Sequence, residues 1–259
     1  MPFIDHAGLR LHYELEGPAG APVIVFSNSL GTTLDMWDAQ AAHLSRDWRV
    51  LRYDTRGHGQ STTAAGPVSL ADLGGDVIAL LDALGIARAS FVGISMGGIT
   101  GQWLGMHAAE RLDRLVVSNT AAKIGAARGW HDRAALVREQ GMAPVAATAV
   151  GRWFTDGFVA SGNPVIAQTI AQLAGTDAEG YARCCEALAD ADLRDVIAGI
   201  AVPTLVIAGA ADAVTTVADA EFIAARVPGA KLVALPASHL SAIEAAEEFN
   251  RALDAFLRA

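Results

Sequence analysis

Gly93-Ile94-Ser95-Met96-Gly97 sets a serine in the pattern G-x-S-x-G. A strand-like run, Ser90–Ile94, leads into it and a helix-compatible segment follows. A strand-turn-helix of this kind lifts a hydroxyl above the end of a sheet, where it can act as a nucleophile. Gly93, Gly97 and Gly98 leave room for the sharp turn. A chance Gly-rich turn is the competing reading, and the flanking elements weigh against it. A serine at its free pKa needs a base, and that base needs an orienting acid. Seven histidines allow a choice by elimination. His6 and His12 fall in an N-terminal hairpin, His43 near the end of an early helix, His107 in the helix after Ser95, and His131 in a helical region. His58 lies in the turn-rich Tyr53-Asp54-Thr55-Arg56-Gly57-His58-Gly59-Gln60-Ser61, where structural support is its expected role. His239 follows the last strand-like run, at the edge where parallel sheets place their sites, and is the expected base.

The acid should come from the same edge, before the histidine in the chain. The loop Asn119-Thr120-Ala121 has no carboxylate, whereas Gly209-Ala210-Ala211-Asp212-Ala213 offers Asp212. An Asp in an ordinary turn is commoner, but the chain order Ser, Asp, His favours Asp212 as the acid. A tetrahedral oxyanion needs two preorganised donors. The backbone N–H of Met96 is one candidate, and that of Leu30, in Ser27-Asn28-Ser29-Leu30-Gly31-Thr32-Thr33, is the other. That glycine-poor loop could also be a plain connector.

These residues need a sheet to carry them. Leu9–Leu15 alternates as a half-buried strand should. Val23–Phe26, Arg49–Tyr53, Ser90–Ile94, Arg114–Ser118, Thr204–Ala208 and Lys231–Leu235 are nearly continuous in apolar residues, as strands buried on both faces are. Ser69–Leu84 reads as a helix with a Ser cap and an apolar stripe of Leu73, Val77, Leu80, Leu81 and Leu84. Ala245–Leu257 places Phe249, Leu253, Phe256 and Leu257 similarly. The alternation predicts an α/β fold with a doubly wound, mostly parallel sheet. From about Ala121 to Gly199 only helical patterns occur, too long a stretch for a loop. The expected organisation is a core of 1–120 and 200–259 with a helical cap, 121–199, inserted over one end of the sheet.

The 259 residues are 52% hydrophobic and 18% charged, enough for a large core and contrary to disorder. A net charge of −9 without a long Lys/Arg run argues against nucleic acid or an anionic membrane surface as partner. The neighbouring Cys184 and Cys185 are no disulfide framework, which favours a reducing compartment. With no export signal and no bilayer-length apolar run visible, a cytoplasmic protein is expected. The histidines lack metal-ligand spacing, and no Gly-rich phosphate loop fits: Gly74-Gly75 sits in a helix pattern and Gly97-Gly98 belongs to the serine turn.

Taken together, these motifs make the chain resemble the α/β-hydrolases throughout its length, and more narrowly the 3-oxoadipate enol-lactonases. Asn28-Ser29-Leu30-Gly31-Thr32, with Trp37 a few residues on, is similar to the enol-lactonase string, where most α/β-hydrolases carry a His-Gly pair. Tyr53-Asp54-Thr55-Arg56-Gly57-His58-Gly59 and Gly93-Ile94-Ser95-Met96-Gly97-Gly98 match the wider family. The resemblance implies an eight-stranded sheet flanked by helices, a helical cap after the sixth strand, a Ser95-Asp212-His239 triad and no cofactor. A departure is the loop Gly209–Thr215, which lacks the proline common shortly after the acid.

The activity so implied is opening of 3-oxoadipate enol-lactone, an anionic lactone, in aromatic-compound breakdown. A broad carboxylesterase or a cofactor-free perhydrolase on the same triad is the alternative, and a non-catalytic ligand-binding signalling protein a third. In an acidic chain an anionic substrate needs a local positive field. From Ala121 to Trp153 five cations face two acids, a local +3, whereas Phe154 to Ile200 carries −5. Trp130 and Arg133, three apart, would share a helix face and offer an apolar wall beside a planar fork for a carboxylate. Solvated surface arginine is the plain alternative. Oligomeric state is not legible in the sequence.

Overall fold

The computed structural model describes residues 2–63 and 65–259. Its eight strands are β1 (Phe3–His6), β2 (Leu9–Glu16), β3 (Val23–Ser27), β4 (Arg49–Tyr53), β5 (Ala89–Ile94), β6 (Leu112–Ser118), β7 (Thr204–Gly209) and β8 (Lys231–Leu235). They form one sheet in the order β1-β2-β4-β3-β5-β6-β7-β8. The β1–β2 and β2–β4 pairs are antiparallel, and every later pair is parallel. Strand β1 is the one the apolar runs did not define, being short and only half-buried. Strands β3, β5 and β7 are buried along their whole length, as continuous apolar runs require. Strand β8 departs from that expectation, because Lys231, Leu232, Val233 and Ala234 are exposed. It pairs with β7 alone and forms the sheet's edge, so its apolar run does not report burial on both faces.

The helices outside the insertion are α1 (Asp38–Leu44), α2 (Leu70–Ala83) and α3 (Met96–His107) before it. Between β6 and β7 come α4 (Ala127–Gln140), α5 (Ala143–Trp153), α6 (Asp156–Ala160), α7 (Pro164–Ala174) and α8 (Ala178–Asp190), with no strand among the described residues. The chain ends with α9 (Val217–Arg226), α10 (Ser241–Glu244) and α11 (Ala246–Leu257). Helix α2 starts where a capping box forms: Ser69 accepts from the Asp72 N–H while Asp72 accepts from the Ser69 N–H. Its stripe Leu73, Val77, Leu80 and Leu81 is buried, and α11 buries Phe249, Leu253, Phe256 and Leu257. Trp37 is wholly buried between the rings of Phe26 and Phe249, tying α11 to the sheet beside the serine turn. Arg56 grips Asp76 of α2 through Nε and a terminal nitrogen, each at 2.7 Å, a buried ion pair under the turn that holds His58. Among the described residues no helix is long and apolar enough to cross a membrane.

The strand order places the chemistry. From β3 the chain moves to β4 on one side and to β5 on the other, so β3 and β5 border the point where the winding reverses. A crevice opens there at the carboxyl ends of the strands. The β3 end carries the Asn28–Thr33 loop and the β5 end carries Ser95.

Candidate active site

Ser95 adopts φ 55° and ψ −113°, a left-handed backbone that an L-residue holds only when its surroundings enforce it. Three hydrogen bonds do so. The Ser95 N–H donates to Ser118 O at 2.9 Å, Thr120 Oγ1 donates to Ser95 O at 2.8 Å, and the Gly97 N–H donates to Asn28 O at 3.0 Å. The glycines allow this packing: a Cβ on Gly97 would stand 2.2 Å from Ser27 O, and one on Gly93 would stand 2.2 Å from Gly97 O. The turn is thereby wedged against β3 and β6.

His239 and Asp212 meet beyond the ends of β8 and β7. His239 Nδ1 lies 2.8 Å from Asp212 Oδ2, with both side chains buried. Asp212 Oδ2 also accepts from Thr215 Oγ1 and Asn119 Nδ2, while Oδ1 accepts from the N–H groups of Val214 and Thr215. Burial pushes the Asp212 pKa up. The His239 bond and charge, Asn119 and the Thr215 N–H outweigh it and hold the carboxyl at about 2. The Gly209–Thr215 loop thus closes around the carboxylate without a proline. A carboxylate so fixed holds the imidazole with Nδ1–H toward it, leaving Nε2 free to accept a proton. No hydrogen bond joins Ser95 Oγ to His239 here; both side chains line one cavity of about 210 Å³.

The β3 loop is pinned from three directions. Asn28 Nδ2 donates to Tyr53 O and Asn28 Oδ1 accepts from Trp37 Nε1. The Gly31 N–H donates to His58 Nε2, and the Leu34 N–H donates to Asp54 Oδ1. Among the described residues the N–H groups of Leu30 and Met96 have no hydrogen-bond acceptor, and Leu30 lines the cavity. Unsatisfied N–H groups beside a nucleophile suit a developing oxyanion.

The helical insertion forms the roof. Trp130 and Arg133 of α4, Arg152 and Trp153 of α5 and Tyr181 of α8 all line the cavity. The Arg133 guanidinium carbon sits 4.8 Å from the Trp130 ring centroid, so the two do share a face. The other insertion cations, Lys123, Arg128, Arg138, Arg183 and Arg194, each pair with a carboxylate. Arg133 and Arg152 have no carboxylate partner among the described residues. Burial, and then the charge of Arg133, push the Arg152 pKa down.

Two residues escaped sequence reasoning. Asn119 was passed over for lacking a carboxylate. It sits at φ 43°, buried, donating to both Asp212 and Ser238 O and accepting from Ser241 Oγ. Its signal was its place directly after β6, beside the loop that holds the acid. Arg152 counted toward the local charge, but no spacing rule puts it near Arg133, which lies on a different helix. The structure gives His58 neither Ser95 nor the cavity as a neighbour but the β3 loop. Of the other excluded histidines, His12 is buried against Asp54, His43 bonds Asp254, and His107 is exposed and stacked on Trp103.

Residues 22–246 match a family described as alpha/beta hydrolase fold. The chain is 51% identical over 250 residues to the 3-oxoadipate enol-lactonase 2 of Acinetobacter baylyi, covering 96% of this chain and 94% of the relative. It is 46% identical to that organism's 3-oxoadipate enol-lactonase 1, covering 98% and 95%. The crystal structure of an enol-lactonase from Burkholderia xenovorans superposes with a TM-score of 0.98 at 45% identity, covering all of both chains.

Proposed function

The chain belongs to the alpha/beta-hydrolase fold family, and from that membership we propose that it is a serine hydrolase opening 3-oxoadipate enol-lactone to 3-oxoadipate. The observation that carries the choice of substrate is the pair Arg133 and Arg152. Two cations without carboxylate partners face one cavity above Ser95, in a chain of net charge −9. Holding two like charges together in a half-buried place is unfavourable unless an anion completes it. The substrate's free carboxylate would do so, with Trp130 as the flat wall beside its ring. The names of the two Acinetobacter relatives support the same reading.

In this mechanism Ser95 Oγ attacks the lactone carbonyl carbon and His239 Nε2 takes its proton. Asp212 holds the Nδ1–H and stabilises the imidazolium. The carbonyl oxygen, now an anion, receives the N–H groups of Leu30 and Met96. Collapse breaks the ring C–O bond. The departing oxygen is an enolate, stabilised by conjugation, and His239 returns the proton to it. The leaving group stays tethered to the acyl chain, so an alcohol poised to re-close the ring would be a hazard. Ketonisation of the enol removes that nucleophile and drives the reaction forward. Water activated by His239 then attacks the acyl carbon, Ser95 Oγ leaves and takes the proton back from His239, and a second carboxylate forms. No step requires a cofactor. The buried, unpaired Cys184 and Cys185 suit a reducing cytoplasmic setting.

The test is kcat/KM on the enol-lactone beside neutral lactones and p-nitrophenyl esters. A preference for the anionic lactone of at least about tenfold, one charge-assisted bond's worth, is expected. Equal or greater efficiency on neutral esters would favour a broad carboxylesterase.

A further inference from the structure

His58 is a buried histidine that the mechanism above does not use, and its hydrogen bonds are specific. The residue is 1% exposed. Nδ1 lies 3.1 Å from Arg56 O, which can only accept, so Nδ1 carries the proton. Nε2 is then a lone-pair acceptor, and the Gly31 N–H donates to it at 2.9 Å. Burial pushes the His58 pKa down and outweighs the Arg56 carbonyl and the charges of Asp54 and Asp177, which push it up. The ring is thus kept in the neutral form that this bond needs.

Gly31 directly follows Leu30. Its φ of +86° places it in the left-handed region, and a Cβ there would stand 2.4 Å from Leu173 Cδ1 and 3.2 Å from Tyr181 Cε2. Both neighbours come from the cap, on α7 and α8. The loop is therefore pressed from above by the cap and held at Gly31 by His58. The same turn seats the cap, since a Cβ on Gly57 would stand 2.5 Å from Gly180 Cα at the start of α8.

We propose that His58 is a positioning residue: its neutral imidazole holds the Gly31 N–H and so aims the Leu30 N–H at the oxyanion. This rests on the oxyanion role given to Leu30 above. Without the acceptor, the Leu30–Gly31 peptide can rotate and carry the preceding N–H off line. A donor displaced by about 1 Å costs on the order of 10²-fold in rate.

The experiment compares His58→Leu, which removes the acceptor, with His58→Gln, whose amide oxygen can stand near Nε2. On p-nitrophenyl acetate His58→Leu should lower kcat about 10²-fold, with KM changed less than about threefold. Inhibition by a neutral trifluoromethyl ketone, whose adduct with Ser95 is an oxyanion, should weaken by a similar factor. Competitive binding of adipate, which forms no oxyanion, should stay as in the parent. His58→Gln should recover to within about tenfold of the parent. A folded His58→Leu with kcat within threefold, a His58→Gln no better than it, or parallel losses for ketone and adipate would overturn the proposal. If His58→Leu does not fold, 15N NMR of the parent protein decides. An Nδ1–H tautomer bonded to Gly31 supports the assignment, and an Nε2–H tautomer overturns it. Parental turnover by Ser95→Ala would instead sink the serine mechanism while leaving the NMR result to judge His58.

Discussion

Arg133→Met keeps the length and apolar stem of the side chain while removing the fork and its charge. In the proposed complex Arg133 makes a charge-assisted hydrogen bond to the substrate carboxylate, worth about 1.5–3 kcal/mol. At 1.36 kcal/mol per tenfold, that is a loss of about 10- to 150-fold in kcat/KM on the enol-lactone. Hydrolysis of p-nitrophenyl acetate, which has no carboxylate, should stay within about twofold. Stability should barely move. Arg133 leaves no carboxylate stranded, its stacking on Trp130 is worth about 0.5–1 kcal/mol, and relief of its repulsion with Arg152 acts in the opposite direction. A net change within about 1 kcal/mol corresponds to a Tm shift of at most about 2–4 °C. The assay is steady-state kinetics on both substrates with a thermal melt of each variant. Because two arginines on one carboxylate act as a unit, Arg133→Met with Arg152→Met should depart from additivity by more than about 0.5 kcal/mol. Equal losses on the anionic and neutral substrates would refute the reasoning, showing that Arg133 supports the cap rather than the ligand.

Asp212→Asn should lower kcat by about 10⁴ while leaving adipate binding nearly unchanged, because the amide favours the wrong imidazole tautomer. The same variant carries a pH signature. The Asp212 carboxyl is held at about 2 in the folded protein against an ordinary 3.8, so its stabilisation is present above pH 3.8 and lost as pH falls through 2. Relative to the parent, Asp212→Asn should lose less stability over that acid window in urea melts, and an identical slope would contradict the depressed pKa. Arg56→Met should cost about 3–5 kcal/mol of stability by urea unfolding, since it strands Asp76 in a buried place. A cost under about 1 kcal/mol would show that the pair is not what anchors the turn to α2.

The parallel core was legible because β3, β5 and β7 are buried on both faces, which favours nearly continuous apolar runs. Helix α2 announced itself through the Ser69 cap, a local interaction three residues long. Ser95, Asp212 and His239 were legible for a related reason: each sits in a short loop after an identifiable strand. The N-terminal hairpin was expected around His6 and His12 and is present, but the bounds of β1 were not defined, since a short edge strand carries no burial pattern. The exposure of β8 depended on its having one neighbour, a property of strand order. Asn119 and Arg152 went unrecognised because their contacts are made only across the fold. One bonds a residue 93 positions away, and the other faces Arg133 from a separate helix.

Acylation of Ser95 is tested most directly by turnover of the enol-lactone by Ser95→Ala. Loss of the nucleophile should cut kcat on the order of 10⁶-fold, with a parental melting curve and adipate still bound. A folded Ser95→Ala that turns over within tenfold of the parent would contradict the mechanism.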